Sequence, residues 1–281
     1  MRRLRIDGRS ALLRGLRFHP DRQPAPTRRR GGGFYIRRLF RIAPAFWLAA
    51  IFYLVFPWWP RSYWAPNGVG AAAVGLTFVF LNGWSPEMYN AVAPGSWSIA
   101  TEFGFYAVFP LLAAWLRSAT AALAAGVAYT LAFIASFPVV LSMLGAVYPN
   151  TPADLVTRFA TMWLPGALYT FLAGMIAWQA PPASRRVAES EVAVSLALIL
   201  ALPFVWPPPE LVNIGPTVAF ALLAHGLASG GGRYLVNRFV ARIGVVSFSI
   251  YLWHFEIVML LRGAITPQHG WHGAASPCGM R

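Results

Sequence analysis

Three short stretches of this chain carry residue types that can do chemistry. In PGSWSIATEFGFYAVFPLL, residues 94–112, one carboxylate, Glu102, follows the Trp97-Ser98 pair by a single helical turn in otherwise apolar sequence. In SFSIYLWHFEIVMLL, residues 247–261, His254 sits deep in an apolar run, with Tyr251 and Trp253 before it and Glu256 on another face of the same helix. In FYIRRLFRIAP, residues 34–44, Arg37, Arg38 and Arg41 stand together. Arg38 and Arg41 are three apart on one helical face, a fork suited to phosphate oxygens.

Each group also has a plainer reading. Arginines beside a span set topology and bind lipid headgroups. With Pro94-Gly95 as a loop and Ser96 or Ser98 as N-cap, Glu102 falls in or just past the first turn, where free N–H groups and the helix dipole favour an acid. His254 can be a neutral histidine bonded to a neighbouring helix, and Tyr251 and Trp253 an aromatic belt. Glu87 lies beside a span, and His225, among small and apolar neighbours, reads as a packing residue.

The elements that must position these residues are membrane helices. Of 281 residues 57% are hydrophobic and 11% charged, with mean hydropathy +0.54; a soluble globule carries roughly 25% charged residues. Apolar runs fall at 42–60, 68–84, 95–116, 119–140, 159–180, 192–208, 212–229 and 243–261. A bilayer-crossing helix needs about 20 apolar residues, and the runs lack the alternation of a barrel strand. The expected fold is an all-α polytopic membrane bundle of about seven to eight transmembrane helices.

Charge sets the topology. Residues 1–41 hold 13 of the 23 basic residues, all of them arginine, and Gly31-Gly32-Gly33 reads as a hinge before the first span. This end is expected in the cytoplasm, as are Arg185, Arg186, Arg233, Arg238 and Arg242. Five runs separate Arg41 from Arg185, yet two cytoplasmic ends require an even number of crossings. The short, Gly- and Ala-rich run at 68–84 is therefore expected not to cross, which places Trp97 and Glu102 near the outer face. Three regions result: a polar Arg-rich leader over 1–33, a membrane domain over 34–261 and a polar tail over 262–281.

Several chemistries are excluded. Without lysine there is no Gly-Lys-Ser phosphate loop, and no Gly-x-Gly-x-x-Gly occurs. Cys278 is the only cysteine, and its spacing from His269 and His272 makes a poor zinc site, so no metal is expected. The basic leader lacks the patterning of a nucleic-acid module; anionic lipid or a phosphorylated ligand suits it better.

Taken in order, FYIRRLFRIAPAFWL, PGSWSIATEFGFYAVFPLL and VVSFSIYLWHFEIV, with FLAGMIA at 171–177, resemble the acyltransferase family 3 membrane proteins over about residues 34–261. The resemblance implies transfer of an acyl group, usually acetyl, from acyl-CoA to a hydroxyl of a cell-surface glycan or lipid-linked acceptor. It places the protein in a bacterial inner membrane, with acyl-CoA a donor substrate and no permanently bound cofactor. It implies that Arg37, Arg38 and Arg41 meet the CoA phosphates and that Glu102 and His254 are catalytic. Trp97, Ser98 and Tyr251 match motif positions expected to meet the substrate.

Such proteins usually open with a span carrying Arg and, ten residues on, a catalytic His, and close on a span near Glu-x-Pro. Residues 1–33 and 262–281 do not read that way, although Arg9 and His19 mimic the first pair. The expectation is a chain incomplete at both ends, inactive or relying on His254. The alternative reading is a polytopic transporter or glycan-export accessory protein, which a few ionisable groups in Gly- and Pro-broken spans also suit.

Overall fold

The computed structural model describes residues 31–56 and 61–265, so the leader before Gly31, with Arg9 and His19, and the tail from residue 266, with His269, His272 and Cys278, lie outside the described residues. The chain divides into two units, Met1–Ile42 and Ala43–Arg281. Helix α1, Gly31–Val55, runs through the boundary. Its three leading glycines are helical rather than a hinge.

Every long described element is a helix, and seven are long and apolar enough to cross a membrane. After α1 come α2, Arg61–Trp64, and α3, Ala71–Phe78, followed by a 3-10 turn at Asn82–Trp84. Then follow α4, Ser96–Trp115; α5, Ala119–Val147; α6, Ala153–Met162; α7, Leu164–Gln179; α8, Arg185–Ala201; α9, Ile214–Ala228; and α10, Arg238–Ile265. Helices α6 and α7 together make one span, 153–179. Sequence and structure agree on the bundle, and the last spans start earlier than their apolar runs, at Arg185 and Arg238, because helix continues through polar residues outside a hydrophobic core.

The run at 68–84 does not cross. Its helix has eight residues, about 12 Å of rise against the roughly 30 Å of a hydrocarbon core. Four apolar helices of spanning length then separate Arg41 from Arg185, an even number as expected for two ends on one side. The segment folds back against α1: the Trp47 indole N–H donates to the Phe78 carbonyl at 3.0 Å. At the turn, Phe80 has φ 62°, the one positive φ among described non-glycine residues. Its ring is wedged between Phe46 at 5.5 Å and Phe103 of α4 at 4.0 Å, which holds a backbone conformation that L-residues otherwise avoid.

The irregular chain that follows is buried and satisfies its backbone groups with side chains, as non-helical backbone at membrane depth must. Asn82 Nδ2 donates to the Tyr89 carbonyl at 3.0 Å, Ser96 Oγ to the same oxygen at 3.0 Å, and the Gly95 N–H to Asn90 Oδ1 at 2.7 Å. On its rim, Glu87 accepts from Asn67 at 2.9 Å and Thr151 at 2.8 Å. Glu87 is thus a tie between connecting segments.

The break between α6 and α7 has a local cause. Pro165 lacks an N–H and biases the preceding backbone away from the helix. The freed carbonyls find other donors: Thr101 Oγ to Met162 O at 2.9 Å, and Asn213 Nδ2 to Thr161 O at 3.2 Å. A Cβ at Gly166 would lie 2.2 Å from the Ala160 carbonyl oxygen, so this sharp turn admits only glycine.

Candidate active site

Helix α4 begins differently from the serine-capped start that its sequence suggests. The N-cap is Gly95, left-handed at φ 78°, and no side chain caps it; Ser96 and Ser98 lie inside the first turn. The reason is tertiary. The Gly95 carbonyl accepts from Ser98 Oγ at 2.9 Å and from the Tyr251 phenol of α10 at 3.0 Å, and the two hydroxyls lie 2.8 Å apart. A Cβ on Gly95 would meet the Tyr251 oxygen at 2.6 Å. Glycine is required there both by its φ and by the phenol packed against it.

Glu102 is the seventh residue of α4, beyond the first turn, so the reading of it as a first-turn acid is corrected. The dipole's influence falls off within that turn. Its half-buried carboxylate instead accepts a hydrogen bond from the buried Tyr106 phenol, one turn further along the helix. That partner was legible from the i, i+4 spacing. The next residue, Phe103, stacks on Phe80 and so fixes this side of α4 against the folded-back segment.

His254 has its Nδ1 2.6 Å from the Tyr251 carbonyl. A carbonyl only accepts, so Nδ1 is the donor in this contact, and Nε2 is the ring nitrogen left to meet a ligand. Among the described residues Nε2 has no hydrogen-bond partner. Tyr251 therefore ties both motifs together, its phenol to the start of α4 and its carbonyl to the His254 ring.

The structure does not bond Glu102 to His254 among the described residues. Glu256 is buried on α10, away from His254.

Beside Ser98 opens a cavity of about 360 Å³ between α4, the α6–α7 break, α7 and the start of α9, and Trp97 and Ser98 line it. Two candidate substrate-binding residues thus border this partly open cavity, and Tyr251 contacts one of them, Ser98. In the first unit, described by itself, Arg37, Arg38 and Arg41 occupy the opening turns of α1. Arg37 and Arg41 are exposed, and the Arg38 guanidinium lies 5.5 Å from the Phe34 ring centre.

His225, expected only to pack among apolar groups, is a polar hub. Its Nδ1 pairs with Glu191 of α8 at 2.9 Å, and its Nε2 lies 3.1 Å from the Pro181 carbonyl. The spacing of 34 residues hid this pair from a one-dimensional reading. Among the described residues no cluster of three metal-ligating side chains occurs.

Seven apolar helices, one of them broken beside an aromatic and hydroxyl-lined cavity, define a multi-pass membrane protein. A family model described as an acyltransferase domain, acyltransferase family 3, matches residues 15–278, and the chain belongs to that family. The match is wider than the 34–261 over which its motifs are legible. No curated protein and no solved structure matches the chain. The protein is a membrane acyltransferase by family.

Proposed function

We propose that this protein moves an acyl group, acetyl in the simplest case, from acyl-CoA to a hydroxyl of a cell-surface glycan or lipid-linked acceptor in a bacterial inner membrane. Its amino terminus and arginine-rich ends lie in the cytoplasm, as the positive-inside bias favours. The observation that carries the reading is the Tyr251 link, which joins the Trp-Ser-x-x-x-Glu and Tyr-Leu-x-His segments and leaves Nε2 of His254 without a partner among the described residues.

In this reaction the acceptor oxygen attacks the thioester carbonyl while His254 Nε2 takes the hydroxyl proton. The tetrahedral intermediate collapses, the carbon–sulfur bond breaks, and the imidazolium returns the proton to the departing CoA thiolate. The balance is acyl-CoA plus alcohol to ester plus free CoA. Glu102, with Tyr106 on its carboxylate, holds an acceptor hydroxyl, and Trp97, Ser98 and Tyr251 position the acceptor. The family resemblance gives the donor's phosphates to Arg37, Arg38 and Arg41, a role their charge and fork geometry suit; membrane lipids are the remaining partners.

The test is release of free CoA thiol and ester formation by the purified full chain in nanodiscs, with acetyl-CoA and an alkyl glycoside acceptor. Glu102→Gln and His254→Ala are each expected to lower turnover by at least about 100-fold, the usual contribution of a general acid–base group. Arg38→Ala is expected to raise the KM for acetyl-CoA about tenfold with kcat little changed, since charge-assisted bonds contribute about 1.5–3 kcal/mol. Wild-type turnover in both of the first two variants would remove the site assignment.

A further inference from the structure

We propose that the cavity of about 360 Å³ beside Ser98 is built for the hydroxyl-bearing, ring-shaped part of the acceptor, with Thr170 and Thr217 as specificity-determining residues. The proposal rests on the acyl-transfer reading and adds where the acceptor sits and what chemistry selects it.

The argument is an inventory of donors and acceptors. Four threonine hydroxyls line the cavity. Thr101 donates to the Met162 carbonyl at 2.9 Å and Thr161 to the Arg158 carbonyl at 2.9 Å. Thr217 donates to the Asn213 carbonyl at 2.6 Å, so in the 3.0 Å contact between Thr170 and Thr217 it is Thr170 that donates. Every threonine proton is thus directed into the protein. Each hydroxyl oxygen still has acceptor capacity, because it carries two lone pairs.

A cavity that offers lone pairs is complementary to ligand O–H donors. Phosphate and carboxylate need donors or cations, and no arginine lines this space. A bare acyl chain gains nothing from placed hydroxyls, whose burial against hydrocarbon is unfavourable. Ser98 and Asn213, which also line the space, likewise donate to carbonyls, of Gly95 and Thr161; most of the remaining lining is apolar, with the Trp97, Phe171 and Phe220 side chains. A polyol ring combines an apolar C–H face for these aromatics with a rim of hydroxyl donors for the threonines, and the volume lies within the range of small-ligand pockets.

Thr170 departs from habit in a way that suits this role. A threonine inside a helix commonly bonds back to the carbonyl one turn earlier, as Thr217 does. Thr170 instead reaches across to α9. The pair holds two oxygens at the seam between α7 and α9, on the cavity wall.

The probe is octyl glucoside below its micellar concentration, with its fully O-methylated counterpart, which keeps the ring and chain but has no O–H donor. Binding to the full chain in nanodiscs is measured by equilibrium dialysis of labelled probe, and acetyl transfer separately. Wild-type protein is expected to bind octyl glucoside at least about tenfold more tightly than the methylated compound. Thr170→Val with Thr217→Val is expected to remove that preference, and Thr170→Ser with Thr217→Ser to keep it, with acetyl-CoA binding unchanged in both.

Equal binding of the two compounds by wild type overturns the proposal, whatever the variants do, and marks the cavity as a site for apolar chains. A preference that survives the valine pair overturns the threonine assignment. Selective, valine-sensitive binding with no acetyl transfer to any acceptor upholds the cavity and fails the acyl-transfer reading, so the two are separable.

Discussion

Replacing Gly95 by alanine should be among the most damaging single-methyl changes in the protein. Two costs are independent. At φ 78° an L-residue pays the left-handed penalty of about 1–2 kcal/mol. The new Cβ would also lie 2.6 Å from the Tyr251 oxygen and 2.9 Å from the ring carbon that bears it, so the phenol must withdraw. Withdrawal breaks its bond to the Gly95 carbonyl, about 0.5–1.5 kcal/mol. Gly95→Ala is therefore expected to cost about 1.5–3.5 kcal/mol, and Tyr251→Phe, which loses only the bond, about 0.5–1.5 kcal/mol.

The assay is thermal unfolding in one detergent, with acyl transfer measured in parallel, for Gly95→Ala, Tyr251→Leu and the double variant. With the phenol ring removed the alanine methyl has room, so the double variant should cost clearly less than the sum of the singles, by about 1 kcal/mol or more. Strict additivity would refute the contact between the two helices as the reason glycine stands at 95. Because the Tyr251 carbonyl also holds His254, Gly95→Ala should reduce turnover as well as stability.

Two further predictions come from sites outside α4. His225→Ala leaves the half-buried Glu191 carboxylate without its hydrogen-bond partner and the Pro181 carbonyl without its ring-nitrogen contact, and should lower unfolding stability by about 1–3 kcal/mol while acyl-CoA KM is unchanged; an unshifted unfolding temperature would show that the pair contributes nothing. At the rim, burial and then the bond to Asp154 raise the Tyr63 phenol above its usual range. A raised folded-state value means the folded protein holds this proton longer than the unfolded chain, so the stability it contributes is full below about pH 10 and is lost as pH climbs through the folded value. Unfolding between pH 9 and 11 should therefore steepen less in Tyr63→Phe than in wild type, and identical curves would contradict the assignment.

What the sequence by itself determined is what composition and period control. Long charge-free runs can only be helices in lipid, because no water there satisfies an open backbone. The even count of crossings between two arginine-rich ends identified 68–84 as the run that folds back, and its eight-residue helix is that outcome. Motif order was also readable, whereas the Glu102–Tyr106 pair, one helical turn apart, came from the structure although its spacing carried a signal.

Tertiary structure decided everything that depends on contact between distant segments. Gly95 and Tyr251 are 156 residues apart, and His225 and Glu191 are 34 apart, so neither pairing has a local signature. The cap of α4 went to glycine because a phenol from another helix occupies the space a serine cap would imply. The hydroxyl-lined cavity arises where a proline-broken helix meets two others, and two of its donors, Thr101 and Asn213, are turned inward by carbonyls which that break sets free. A linear sequence carries the threonines; only packing determines which of their lone pairs remain open to a ligand.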